Sequence, residues 1–312
     1  MFLVCGEALY DLFLADETGN GRLSFDAWPG GSPFNVAVGM ARLGARSALL
    51  TGISDDMLGT RLAAVLESEG VATDYLVRTG RRTTLSVVGV DKAGAPSYAF
   101  YGVGSADCSL TAGDLPQIDE RIGGLHFGSY STVVAPAADA FADLAERESH
   151  RFISFDPNVR LAIEPDRALW QRRIDHLRRL AHLVKVSWED IEALYPGDDP
   201  EAVIRSWALD GPLMVVMTRG ADEILALRGA DEIRLTPPSI DVLDTVGAGD
   251  TFQAALLAQL SAQADPARYL DALSRDDAVG LLGRAADAAA ITCTRRGANL
   301  PSAQELLETE TA

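Results

Sequence analysis

The chain has 312 residues, 47% of them hydrophobic and 23% charged, with a formal net charge of −18. That is enough apolar material for the core of one large α/β domain with at most a small appendage. The acidic balance argues against sequence-independent nucleic-acid binding, which needs a basic face. Cys5, Cys108 and Cys293 are far apart and odd in number, so they suit neither a zinc cluster nor a disulfide framework. These cysteines predict a reducing cytoplasm; residues 1–5 are too short and uncharged a run for a signal peptide, and no apolar run is long enough to predict a membrane span.

Residues 2–6 read as a short buried strand. Residues 8–15 read as a second strand, carrying Asp11 among Leu9, Tyr10, Leu12, Phe13 and Leu14. An acid in so apolar a strand needs a partner, and a sugar diol would supply one. A turn at 16–21 leads to a returning strand at 23–27. The run Gly30-Gly31-Ser32-Pro33-Phe34-Asn35 follows. Its glycines let a ligand touch backbone. Ser32 is expected to cap a helix that starts at Pro33 and is closed by Gly44. Asn35, one turn into it, offers a donor and an acceptor to vicinal hydroxyls. Residues 47–51 read as a strand and 58–69 as a helix. The β-rich runs 83–91 and 96–101 flank the turn at 91–94 and form a hairpin. With the hairpin at 9–27 they are expected to make a small separate sheet.

From about residue 120 strands and helices alternate. Strands are expected near 122–128, 151–155, 182–187, 213–218 and 224–227, and helices near 136–148, 166–180 and 199–208. This alternation predicts a doubly wound, mostly parallel sheet flanked by helices. The last third reads as helices at 248–263, 267–274, 276–291 and 302–308. Ligands of such sheets bind at the C-terminal ends of the strands, and three of those ends carry chemistry. At Phe155-Asp156-Pro157-Asn158-Val159-Arg160, the guanidinium could hold phosphate oxygens in a bidentate fashion. At Lys185-Val186-Ser187-Trp188-Glu189-Asp190, Ser187 could cap a helix, while Glu189 and Asp190 could hold water around Mg²⁺ or simply satisfy the helix dipole. Lys185 is one of only two lysines, the other being Lys92. At Thr218-Arg219-Gly220, the segment could support nucleotide phosphates or merely turn the chain.

The stretch Asp244-Thr245-Val246-Gly247-Ala248-Gly249-Asp250-Thr251-Phe252 opens an apolar helix. The amides of Gly247, Ala248 and Gly249 would be first-turn donors at the positive end of the helix dipole, an anion site. Asp250 would repel an anion there, unless it removes a proton from a hydroxyl that attacks that anion. The layout is that of phosphoryl transfer. No GxxxxGK[ST] loop is present, Gly102-Val103-Gly104 lacks the third glycine of a dinucleotide fingerprint, and the four histidines show no metal spacing.

Both glycine motifs, in this order and spacing, resemble the PfkB, or ribokinase-like, sugar kinases over nearly the whole chain. Gly6-Glu7-Ala8-Leu9-Tyr10-Asp11-Leu12, the Gly-Gly-Ser-Pro form at 30–33 and the segment 155–160 are similar to fructokinases. The resemblance implies one α/β domain over 1–312, with segments 9–27 and 83–104 forming a β-lid through which relatives often dimerise. It implies ATP and Mg²⁺, with Asp250 as base, Gly247, Ala248 and Gly249 as anion hole, and Arg160 stabilising the moving phosphoryl. Asp11, Gly30, Gly31, Asn35, Phe100 and Asn158 would bind the sugar. Lys185, Ser187, Thr218 and Gly220 would serve the nucleotide, and Glu189 and Asp190 the Mg²⁺ through water. Asp244 with the carbonyls of Val246 and Gly297 would hold a monovalent cation such as K⁺. The expected reaction is D-fructose to fructose 6-phosphate. The alternatives are a 2-keto-3-deoxygluconate kinase, another sugar or nucleoside kinase, or a non-catalytic sugar-binding protein. The segment 96–107 has no Arg or Lys to meet a sugar acid, whereas Arg81 and Arg82 stand nearby.

Overall fold

The computed structural model of the chain describes residues 1–17, 21–90 and 96–310. The chain begins with β1 (Phe2–Cys5), buried along its whole length. It leaves the core as the hairpin β2 (Leu9–Glu17) and β3 (Leu23–Gly30), and returns through helix α1 (Ser32–Arg42). β4 (Ser47–Ser54), α2 (Met57–Ser68) and β5 (Leu76–Thr79) follow in the core. The chain leaves again as β6 (Thr84–Val90) and β7 (Pro96–Tyr101). The turns expected at 16–21 and 91–94 lie partly and wholly outside the described residues.

From there the chain alternates. The order is β8 (Gly124–Gly128), α3 (Ala137–Arg147), β9 (Phe152–Asp156), α4 (Arg167–Leu180), β10 (Leu183–Ser187), α5 (Trp188–Leu194), α6 (Pro200–Ala208) and β11 (Met214–Arg219). β12 (Glu223–Arg228) and β13 (Asp231–Leu235) precede the helices α7 (Ala248–Ser261), α8 (Pro266–Ala272), α9 (Arg275–Cys293) and α10 (Ala303–Glu310). Among the described residues nine strands form one sheet, in the order β13-β12-β11-β10-β9-β8-β1-β4-β5. The pairs from β11 to β5 are parallel, and β12 and β13 add an antiparallel edge. The central strands are apolar on both faces because helices cover both. One apolar core lies under α1, α7 and α9, and the other under α3 and α4.

The remaining four strands form a separate sheet in the order β3-β2-β6-β7. It stands over the C-terminal ends of the main sheet as a lid. Two expectations change. β5 and β13 are too short and too polar to stand out from the sequence, and they pair because a neighbouring strand end is available. Ser32 does not cap α1: the cap position is Gly31, at φ +103°, with no side-chain bond to the helix amides. The Ser32 hydroxyl is turned elsewhere. Among the described residues no helix is long and apolar enough to cross a membrane.

Candidate active site

A cleft of about 530 Å³ separates the lid from the strand ends. Side chains alternate across a strand, so Leu9, Asp11 and Phe13 of β2 face it together, and Ser86 and Val88 of the paired β6 continue the same surface. Phe100 of β7 pairs with Ser86 and completes the lid wall. Gly31 closes the lower wall against Glu7. A Cβ on Gly31 would come within 2.8 Å of the Glu7 carbonyl oxygen, so only glycine fits that backbone.

Asp250 stands in the first turn of α7 and lines the same cleft. The Ser32 hydroxyl donates to one carboxylate oxygen at 2.6 Å, and the Asn35 side-chain amide donates to the other at 2.8 Å. The two α1 residues predicted to cap a helix and to meet sugar hydroxyls thus aim the carboxylate in this structure. Gly247 is the N-cap residue of α7, in the left-handed conformation at φ +80°. The amide of Ala248 donates to the Thr245 carbonyl at 3.2 Å. The amides that follow it, of Gly249 and Asp250, lack acceptors inside the helix.

Behind α7 lies a charged pair that strand register creates. β9 and β10 run in parallel with Leu183 beside Ser154, which sets Lys185 beside Asp156. Their side chains meet at 3.0 Å, almost fully buried. The ammonium also reaches within 3.0 Å of where a Cβ on Gly249 would stand, so it faces the helix entry. Burial lifts the Asp156 carboxyl to about 6, against the pull of Lys185. Burial works to lower Lys185, but Asp156, Asp190 and Asp250 outweigh it and hold the amine above its ordinary value.

Asp11 is raised by burial, offset by a hydrogen bond from Ser86 and by the nearby Arg160. Arg160 lines the cleft and donates to its neighbour's carbonyl, that of Val159, at 2.9 Å. Its charge acts on Asp11. Asn158 lines the cleft with φ +39°, and Ser129 lines it with φ +62°. Both lie in a region that non-glycine residues avoid, and strain of this kind gathers at functional sites.

Ser187 does cap α5, accepting the Asp190 amide at 3.0 Å. Thr218 is its register partner on β11, and Gly220 turns the chain between β11 and β12. Ser187 and Thr218 thus lie side by side at the C-terminal ends of β10 and β11, with Gly220 just beyond. The residues predicted for Mg²⁺ do not fit that task. Asp190 is 7% exposed and its carboxylate accepts the amides of Val159 at 2.8 Å and Ser187 at 3.4 Å, while Glu189 is exposed and does not line the cleft. The Asp190 carboxylate fastens the 156–160 loop to α5. The residues predicted for a monovalent cation are brought together. Asp244 accepts the amides of Val246 at 3.0 Å and Gly297 at 2.8 Å, so the two loops meet at one carboxylate.

Sequence reasoning assigned no role to Glu7, Ser86, Ser129 or Asp156. Glu7 is 1% exposed, and its Oε2 has no hydrogen-bond partner in the structure. Burial lifts it to about 7, opposed by hydrogen bonds from Ser129 and Ser131. Only the carboxyl of Glu7 after a buried strand signalled it. Asp156 could have been found only from the strand register.

A lid over strand ends, a helix entry built to receive an anion and a carboxylate held between them define a phosphotransferase site. The chain belongs to the pfkB family of carbohydrate kinases, whose sequence model matches residues 1–305. It is 36% identical to a fructokinase of Rhizobium leguminosarum bv. trifolii over 261 residues, covering 83% of this chain and 79% of that one. It superposes on an ATP-bound fructokinase of Xylella fastidiosa with a TM-score of 0.90 at 27% identity, covering 100% and 99% of the two chains. A double-mutant fructokinase of Vibrio cholerae O395 with fructose, ADP and potassium bound matches with a TM-score of 0.83 at 27% identity, over 98% and 97% of the chains.

Proposed function

We propose that this carbohydrate kinase transfers the γ-phosphate of ATP to the primary hydroxyl of a ketose, D-fructose, to give fructose 6-phosphate. The observation that carries the reading is Asp250, held by Ser32 and Asn35 at the mouth of α7 where the acceptor cleft meets the strand ends. The sugar enters between Asp11, Asn158 and Phe100, with its hydroxyl toward Asp250. The carboxylate takes the proton as the oxygen attacks phosphorus. The α7 amides and Lys185 meet the charge that builds on the moving phosphoryl. Arg160 acts electrostatically on Asp11, so the acceptor end carries charges of both signs, which suits a neutral polyol better than a sugar acid.

Ser187, Thr218 and Gly220 would border the nucleotide. Mg²⁺ would arrive on the phosphates, with no protein carboxylate assigned to it. Asp244 with the Val246 and Gly297 carbonyls would hold a K⁺ ion, which would supply positive charge beside the anion hole. The outer lid face exposes Leu14, Leu23 and Phe25, and supports a homodimer formed through the lid. The compartment read from the cysteines is the cytoplasm. A coupled ADP-release assay across fructose, 2-keto-3-deoxygluconate, ribose, adenosine and fructose 6-phosphate tests the reading. Dominant turnover of any acceptor but fructose overturns it.

A further inference from the structure

Beside the acceptor cleft lies a second cavity of about 280 Å³. Phe100 and Ile163 line both spaces, so the Phe100 ring forms part of the wall between them. On its far side the cavity reaches Arg81, Cys108 and Glu164. Nothing in the proposed reaction uses this space. An acceptor longer than a hexose would enter it if the ring swung aside.

The ring is held from two sides. Its edge meets Tyr130, with centroids 5.1 Å apart and planes at 75°. On the other side it lies against the backbone of Gly102, where a Cβ would come within 2.1 Å of the ring. Both supports run to one buried carboxylate. The Tyr130 hydroxyl donates to one oxygen of Asp107 at 2.6 Å. The other oxygen accepts from Thr84 at 2.5 Å and from Ser105 at 2.6 Å. The Ser105 hydroxyl shares its one proton between this oxygen and the Gly102 carbonyl, 2.7 Å away. Asp107 is 1% exposed, and burial raises its carboxyl against these hydrogen bonds. Thr84 opens β6, while Ser105 and Asp107 lie on the chain returning from β7. Tyr130 belongs to the core. One carboxylate thus ties the lid stem to the core and fixes both supports of Phe100.

We infer that Asp107, acting through Tyr130 and Gly102, is a positioning residue that keeps Phe100 closed as a partition, and that this partition limits the length of the acceptor. The inference rests on the acceptor assignment proposed above. A buried unsupported polar group is costly, so the wild-type carboxylate keeps all of these partners.

The test compares fructose with a seven-carbon ketose, sedoheptulose, on the full-length wild type, Tyr130→Phe and Asp107→Asn. Tyr130→Phe keeps the ring and the lid-stem bonds but frees one support. The ratio of kcat/KM for fructose over sedoheptulose is expected to fall by roughly tenfold in Tyr130→Phe, the loss of one charge-assisted hydrogen bond. KM for ATP should stay within twofold. Asp107→Asn should lower the ratio at least as far, and the double variant should add little, because both act through one ring. If the ratio is unchanged in Tyr130→Phe while its melting temperature falls, the clamp is purely structural and the inference fails. If wild type turns over neither ketose, the acceptor assignment has failed instead. The partition is then read from ligand-induced melting shifts with the acceptor that the screen identifies and its one-carbon homologue, and an unchanged ratio of shifts in Tyr130→Phe overturns it.

Discussion

Replacing Lys185 with Met removes an ammonium from a pair that is 3.0 Å apart, with side chains 5% and 1% exposed. Asp156 is left buried without its partner. Breaking a buried pair from one side costs about 3–5 kcal/mol, a large share of ordinary domain stability. The variant escapes part of that cost by protonating Asp156, whose carboxyl already sits at about 6 with the ammonium beside it. Its folded pKa then moves further above the unfolded value. Up to about pH 6 both proteins keep the Asp156 carboxyl protonated in the folded state and lose stability alike; above it the wild-type carboxyl ionises while that of the variant stays protonated, so the deficit opens as pH rises from about 6 to 8. Urea unfolding at several pH values measures this. The double variant Lys185→Met/Asp156→Asn should regain most of the lost stability, since no uncompensated charge remains. It should not regain activity, because the ammonium at the α7 entry is still missing, and KM for ATP should stay raised. A Lys185→Met protein within about 1 kcal/mol of wild type at pH 8, or a double variant no more stable than the single, would refute the buried-pair reasoning.

Asp250→Asn is expected to lower kcat by about 10²–10⁴ while fructose still binds, measured by turnover and by titration calorimetry; near-normal turnover would remove the base. Glu7→Gln should stabilise the protein at pH 8 and change little at pH 4. Its folded pKa is about 7 against 4.5 unfolded, so the native state loses stability as pH rises through that window, by about 3 kcal/mol in all. Equal stabilisation at both pH values would contradict it. Gly31→Ala, at φ +103° and facing the Glu7 carbonyl, should cost about 1–3 kcal/mol and weaken acceptor binding; a wild-type melting curve would show that the wall gives way freely. Phe25→Glu, on the exposed outer lid face, is expected to shift a dimer to monomer in light scattering, and an unchanged mass would rule out that face.

The fold class and the core of the site were legible in the chain. Asp250 and the glycines beside it are local: a helix entry and the residues that open it are neighbours in sequence, so their chemistry can be read there. Alternating strands and helices likewise predict a parallel sheet, because parallel strands need a crossover between them. Strand ends carrying Asp156, Lys185 and Thr218 could be seen, but which of them touch depends on register. Register put Lys185 on Asp156. Tertiary packing alone turned Ser32 and Asn35, more than two hundred residues away, onto Asp250. It alone gathered Thr84, Ser105, Asp107 and Tyr130 at the lid stem, because buried polar groups find partners wherever the fold brings them. Local backbone preference and periodicity act over a few residues and are written in the chain. Pairing across the sheet and the satisfaction of buried charge act through space and are settled only once the layers close.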